Sequence, residues 1–378
     1  MKVISVSIIL ILTCFSSFSQ EESVARAKRQ PYLQVLYHNG VFWSRTEYLQ
    51  EQFDAGYWGM EARLGFQTTG RKIWQQYNRY PKIGIGLYYA DLVMNRQDTM
   101  VGNPIAFFGF YNTPIATVGR FTFGTDVSVG LSYTPIIHDP VENPYNDVVA
   151  SHINLFFGFK LNMDVELSNQ LDMTLGYGLT HHSNGRIHMP QKGVNTWGLS
   201  LGMRYMLVTP VELIYQEPPE FIPNSEVQFM VGVGTVEEKP LSQDYPNRYL
   251  TSSFAVDYAF KFNPRMAFTL GLDYFYDGST ALAIGSVPPE DVSNSQKMYL
   301  GTHLGYQQTI DRLTLMFNMG TYFWQHTNDR SFWYARAGGR IRLTDRFYFH
   351  LAIKTKAGVR SDWIEWGVAY HLKVKTHE

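Results

Sequence analysis

The sequence is short of cysteine, of charge and of long apolar runs. One cysteine, Cys14, occurs in 378 residues, so a disulfide framework is excluded. Charged residues make up 17% of the chain, against roughly 25% in ordinary soluble domains. Neither sign dominates: 32 Lys and Arg face 33 Asp and Glu, a formal net charge of −1. That balance argues against nucleic acid as a partner, which requires cations to neutralise phosphates. After the N-terminus no segment reaches the roughly 18 consecutive apolar residues of a membrane-spanning helix, and helical periodicity is scarce. Aromatics are abundant instead, with 25 Tyr, 25 Phe and 8 Trp, 15% of the chain, beside 31 Gly. So much material to bury excludes a disordered chain. With a mean hydropathy of −0.20, the mixture suits a surface that is half apolar and half wet.

Residues 1–19 read as a secretory signal peptide. Lys2 supplies the positive start, an apolar run from Val3 to Phe15 follows, and small residues end at Ser17-Phe18-Ser19. The run is too short for a membrane anchor and lacks a stop-transfer flank. Cys14 lies inside it, and Leu12-Thr13 lacks the small residue that precedes a lipidated cysteine. The mature chain then has no thiol chemistry and no cysteine-ligated metal.

Alternation dominates the rest. Residues 153–167 place Ile153, Leu155, Phe157, Phe159, Leu161, Met163, Val165 and Leu167 on one face and Asn154, Lys160, Asn162, Asp164 and Glu166 on the other. Period 2 over such a length describes a strand with one apolar and one polar side. It exceeds an ordinary strand of five or six residues and suits a tilted membrane strand. Similar segments recur at 313–323, 347–357 and 364–372, about eight before residue 208 and eight after residue 225. Short connections such as Ser168-Asn169-Gln170, Asn263-Pro264-Arg265, Ile310-Asp311-Arg312 and Thr344-Asp345-Arg346 alternate with long polar ones near 94–104, 136–150, 182–194, 235–247 and 277–296. The pattern predicts an all-β, transmembrane antiparallel β-barrel of about 16 strands in a Gram-negative outer membrane, with short turns periplasmic and long loops outside. Residues 20–208 form one half and 226–378 the other. The segment 209–225, with Pro210, Pro218, Pro219 and Pro223, joins them on the periplasmic side. One barrel of sixteen is slightly favoured, because tandem barrels in one chain are rare; two tandem barrels of eight are the alternative. The partner of strand 32–43 decides: 361–376 for one barrel, 196–208 for two. Trp197, Trp363 and Trp366, near strand ends, are expected at the membrane interfaces.

One strand end carries chemistry. Leu171, Met173, Leu175, Tyr177 and Leu179 make an apolar face, and continued alternation puts His181 and Ser183 on it. Residues two apart on a strand lie about 6.5 Å apart at Cα, within reach of the His-to-Ser hydrogen bond that a serine nucleophile needs. On the following strand Asn195 takes the same outward face, beside that pair. A polar pair facing lipid at the outer rim is costly unless it lies at the interface or has a role. No ligand spacing joins His182, His188 and Asn195 into a metal site, and neither metal nor cofactor is expected. Ser151, His152 and Asn154 begin a strand, with His152 and Asn154 expected to line the lumen.

The stretch Thr180-His181-His182-Ser183-Asn184-Gly185, followed by Gly193-Val194-Asn195-Thr196-Trp197-Gly198, resembles the lipid A 3-O-deacylases. The length, the segment Phe275-Tyr276-Asp277-Gly278-Ser279 and the ending Ile364-Glu365-Trp366-Gly367 resemble their longer relatives, the acyloxyacyl hydrolases. The resemblance to the compact enzymes covers about 120–207, and that to the longer ones most of the mature chain. It implies Ser183 as nucleophile, His181 as general base and Asn184 as an oxyanion donor. The compact enzymes complete the triad with a Glu about twelve residues after the Ser; this chain has Asn195, which orients a His without adding charge. Glu142 and Asp147 are the nearest acids on another loop. Arg186 and Lys192 are candidate cations for the phosphates of lipid A. The implied activity is hydrolysis of an ester-linked acyl chain of lipopolysaccharide, with membrane lipid as surroundings. The rivals are a pore or structural barrel with a degraded site, and a phospholipase. A homodimer is compatible with the sequence.

Overall fold

In the computed structural model the described residues are 30–43, 56–92, 100–190, 192–217, 219–238, 247–283, 292–326, 331–357 and 360–374. The segment 1–19, with Cys14, lies outside them. Sixteen strands follow one another: β1 (Gln30–Trp43), β2 (Tyr57–Gln67), β3 (Lys82–Asp91), β4 (Ile105–Val118), β5 (Phe121–Tyr133), β6 (Ile153–Ser168), β7 (Leu171–Ser183), β8 (Val194–Met206), β9 (Asn224–Glu238), β10 (Asn247–Asn263), β11 (Met266–Asp277), β12 (Met298–Ile310), β13 (Leu313–Gln325), β14 (Trp333–Arg342), β15 (Phe347–Lys356) and β16 (Arg360–Val374). Short helices occur at α1 (Ile73–Tyr77) and α2 (Thr280–Ala283).

The strands close into two barrels of eight, β1 to β8 and β9 to β16. β1 pairs antiparallel with β8 from Tyr32↔Met206 to Trp43↔Asn195, and β16 pairs with β9. The slightly favoured single barrel is therefore corrected to the tandem alternative. Alternation cannot separate the two, because it sets which face a side chain takes and not which strand closes on which. Closure satisfies every edge, so neither barrel offers an unpaired strand to its surroundings.

Outward positions are apolar and exposed, among them Leu199, Leu201, Met203 and Tyr205 on β8 and Leu270 and Leu272 on β11. A wall of this composition matches hydrocarbon rather than water. An eight-stranded barrel is only wide enough inside for its own side chains, and here they are largely charged and paired. In the first lumen Arg63 holds Asp126 through two bonds of 2.6 and 2.8 Å. Glu61 accepts from Lys160 at 2.8 Å and pairs with His38 and Arg63. Asp164 pairs with Lys82 at 3.0 Å and Arg204 at 2.9 Å. In the second, Arg336 bridges Asp273 at 2.9 Å and Glu365 at 2.7 Å, and His303 lies between Asp273 and Asp257. Lys354 pairs with Asp362 and sits under the rings of Phe275, Tyr322, Tyr334 and Trp363, 4.2–5.5 Å from their centroids. Trp363 is thus buried in the lumen, not at an interface: it is out of phase with Ile364 and Trp366, so its ring points inward.

The two ends differ. Tight turns join β4 to β5, β6 to β7, β10 to β11, β12 to β13 and β14 to β15, and longer loops join the opposite ends, except for the short 357–359 connection between β15 and β16. At the loop end of the first barrel an apolar cluster replaces the ionic lumen. Phe42, Tyr57, Tyr88, Phe108 and Phe156 meet Val148 and Val149 of the 134–152 loop there. At the turn end the connection after β8 lies against the 68–81 segment, with Ile214 N donating to Thr69 O and Tyr80 Oη to Ile214 O. The barrels touch at this end too: Arg265 donates to Tyr77 O at 2.6 Å and Gln308 to Asn78 Oδ1 at 3.2 Å.

Candidate active site

The antiparallel register of β7 and β8 sets His181 directly opposite Asn195. Both take outward positions, and Ser183, two residues on, shares that face. The three side chains form one chain of hydrogen bonds. His181 Nδ1 meets Asn195 Oδ1 at 2.7 Å, and His181 Nε2 meets Ser183 Oγ at 2.8 Å. The Asn195 amide is itself oriented, because its Nδ2 donates to Gly193 O at 3.2 Å. That leaves Oδ1 as an acceptor toward the imidazole, so Nδ1 carries the ring proton. Nε2 is then the lone-pair nitrogen, accepting from the Ser183 hydroxyl.

Space for the ring comes from a glycine. Gly193 has φ +78°, and a Cβ there would stand 2.6 Å from His181 Cε1. The backbone of Gly193 donates to Val148 O at 2.8 Å, tying the end of the site loop to the 134–152 loop. Both His181 nitrogens are engaged in this chain of bonds, and neither Glu142 nor Asp147 takes part in it. Glu142 lies exposed, and Asp147 pairs with Lys192.

The remaining candidates are placed as follows. The Asn184 amide donates to Ser151 Oγ at 3.0 Å, and its Oδ1 accepts from Arg186 N at 3.0 Å. It therefore organises the turn after Ser183, in which Gly185 and Arg186 have φ of +63° and +73°. Ser151 thus supports the site turn. Asn154 points inward, but His152 precedes the strand, is exposed, and stacks on Tyr133 with ring centroids 5.6 Å apart.

Arg186 is not held out toward solvent. It is 8% exposed and pairs with Glu238 and Asp362 of the second barrel. Asp362 is shared with Lys354 and Lys356, so Arg186 sits in a mixed ionic cluster between the two barrels. Lys192 pairs with Asp147 at the loop surface. His182 and His188 are apart from any shared centre. His182 points into the lumen against Phe156 and Tyr88, and its ring nitrogens have no hydrogen-bond partner. His188 faces Glu237 at 3.5 Å. The contact of Arg186 and Gly185 with the second barrel is the part of the site that strand patterns did not reveal.

Comparison with known families then decides the relationship. Residues 58–204 match the model of the lipid A 3-O-deacylase family, PagL. Residues 225–374 match the acyloxyacyl hydrolase C-terminal domain. The chain belongs to the lipid A 3-O-deacylase (acyloxyacyl hydrolase) family. The deacylase match spans β2 to β8 and so contains the Ser–His–Asn array, while the C-terminal match coincides with the second barrel. The family indicates a hydrolase of lipid A esters. No curated protein matches the chain. Among solved structures, a mutant porin of Rh. blastica is similar at 10% identity, covering 91% of this chain and 100% of that one, with a TM-score of 0.17. Pseudomonas aeruginosa OccK5 (OpdH) is similar at 10% identity over 92% and 99%, with a TM-score of 0.21. At these scores neither porin bears on the function.

Proposed function

We propose that the protein is an outer-membrane serine esterase that removes an ester-linked acyl chain from lipid A, with Ser183 as nucleophile, His181 as general base and Asn195 as the group that orients the imidazole. The observation that carries this reading is the continuous chain Asn195–His181–Ser183 with bonds of 2.7 and 2.8 Å. The long loops, and with them Ser183, face outward, where the outer leaflet presents its acyl esters. In the first step Ser183 Oγ adds to the acyl carbonyl carbon as its proton passes to His181 Nε2. The tetrahedral oxyanion collapses, and the sugar oxygen leaves with the proton from the imidazolium. Water then attacks the acyl-enzyme, giving its proton to Nε2, and the fatty acid leaves as Ser183 regains its hydroxyl proton. The second hydrogen of the Asn184 amide is a candidate oxyanion donor. Its first is spent on Ser151, which fixes the group beforehand and lowers reorganisation during reaction.

Asn195 distinguishes this site from one completed by a carboxylate. A neutral acceptor sets tautomer and orientation but adds little to the stability of an imidazolium. General-base assistance of this kind contributes about 10²–10⁴-fold. A Ser183→Ala variant, shown to be folded by heat-modifiability on gels, is expected to lose at least about 10²-fold in release of fatty acid from purified lipopolysaccharide. Identical lipid A mass spectra with and without the wild-type protein would refute the esterase. A pore finds no support in the lumens, which are filled by paired side chains.

A further inference from the structure

The outward positions of β16 run Ile364, Trp366, Val368, Tyr370 and Leu372. Trp366, Val368 and Leu372 are exposed, as wall positions should be, yet Ile364 is only 3% exposed. The cover is the turn after Ser183, which belongs to the first barrel. Gly185 lies so close that a Cβ on it would fall 2.5 Å from the Ile364 side chain. Beside this contact an open groove of about 220 Å³ is cut into the outer wall. Ile187 of the first barrel forms one side. Val233, Gly234, Thr235, Leu250, Ile364 and Trp366 of the second form the rest. All these strand positions lie toward the loop end, the end that carries Ser183.

The wall made by Ile187 is held on both sides. Arg186 before it is paired with Glu238 and Asp362. Met189 N after it donates to Glu237 Oε2 at 2.8 Å, and Glu237 N donates back to Arg186 O at 3.1 Å. Ion pairs and backbone bonds on both sides fix this isoleucine against the second barrel.

We propose that this groove binds a fatty acyl chain of the substrate lipid, so that the second barrel selects the chain whose ester the first barrel cuts. The lining has no charged group and Thr235 as its one polar side chain, which suits a hydrocarbon rod and not a headgroup or a peptide. The groove opens on the lipid-facing wall, where acyl chains already are. Its first-barrel wall, Ile187, lies four residues beyond Ser183 in the chain, so an acyl chain in the groove packs against the segment that follows the nucleophile. The surrounding bilayer is as apolar as the groove, so the gain is one of close packing and positioning rather than transfer from water. The inference rests on the esterase reading above, and its test separates the two.

Leu250→Trp and Val233→Trp fill the groove from exposed wall positions without touching either lumen. Leu304→Trp, on the far wall, is the control. In detergent micelles, with all variants checked folded by heat-modifiability, the ratio of tetradecanoyl to butanoyl ester hydrolysis should fall roughly tenfold for the groove variants, a scale set by loss of positioning, and stay at the wild-type value for the control. An unchanged ratio in both groove variants overturns the proposal. The second arm needs no turnover. Ser183→Ala protein in vesicles is photolabelled with lipid A bearing a diazirine fatty acyl chain, and labelled peptides are mapped. Labels concentrated at Ile187, Val233, Leu250 and Trp366 support the groove even if wild-type protein hydrolyses nothing. Labels spread evenly over the apolar walls, or cross-links between two copies at this face, refute it even if the esterase is confirmed.

Discussion

His181 uses both ring nitrogens, and the residue opposite it decides how well. The bond from Nδ1 to Asn195 Oδ1 at 2.7 Å fixes the tautomer, and in the proposed reaction a neutral amide gives the imidazolium little. A hydrogen bond to a charged partner is worth about 1 kcal/mol more than a neutral one. Asn195→Glu is therefore expected to raise kcat for lipid A hydrolysis about fivefold, with KM little changed. A fall in kcat in the folded variant would mean that the amide does more than orient. Much of this site was legible from sequence, because its three members follow from two simple rules. Period 2 puts His181 and Ser183 on one face, and the antiparallel return of the next strand after the 184–193 loop sets Asn195 across from His181. The partners of Arg186 were hidden in the sequence for an equally physical reason. A cation on a long loop resembles a phosphate contact until its carboxylates are located, and Glu238 and Asp362 come from strands distant in sequence.

At the scale of the strand, each element divides its residues between hydrocarbon and an ionic interior. The outward half of the pattern was plain in the sequence, since Leu199, Leu201 and Met203 require nothing beyond alternation. The inward half was legible as polar but not as paired. Arg63 on β2 reaches Asp126 on β5 across the lumen, and no local spacing announces a partner that far along the chain. Removing one member of such a buried pair leaves the other charged and unmatched, at a cost of about 3–5 kcal/mol. Asp126→Ala should lower the unfolding free energy in detergent by about that amount, read from the denaturant midpoint, while Asp126→Asn loses less. An unshifted midpoint would show that water reaches the Arg63 guanidinium. Trp363 belongs to the same lesson, since its neighbours Ile364 and Trp366 disclosed its inward phase and its rank as an aromatic near a strand end did not.

Across the whole molecule, two narrow filled barrels replace the single wider one that the strand count also allowed. Sixteen strands in one ring enclose an aqueous channel, whereas eight leave room for side chains alone. Purified protein in planar bilayers should therefore show no sustained conductance steps, and steady porin-like channels would contradict the packed lumens. The first barrel closes β1 on β8 by itself, so residues 20–208 expressed alone should fold in detergent as a heat-modifiable species. Aggregation of that fragment under conditions that fold the full chain would show that the second barrel is needed for the first to form. The arrangement also bears on how such a chain is delivered to its membrane. The seam between β1 and β8 needs nothing beyond residue 206, so it can be sealed while the remaining strands are still waiting to be inserted. The two rings can then form one after the other on the same polypeptide. A single stretch of connecting chain after β8 is all that keeps the two events in order.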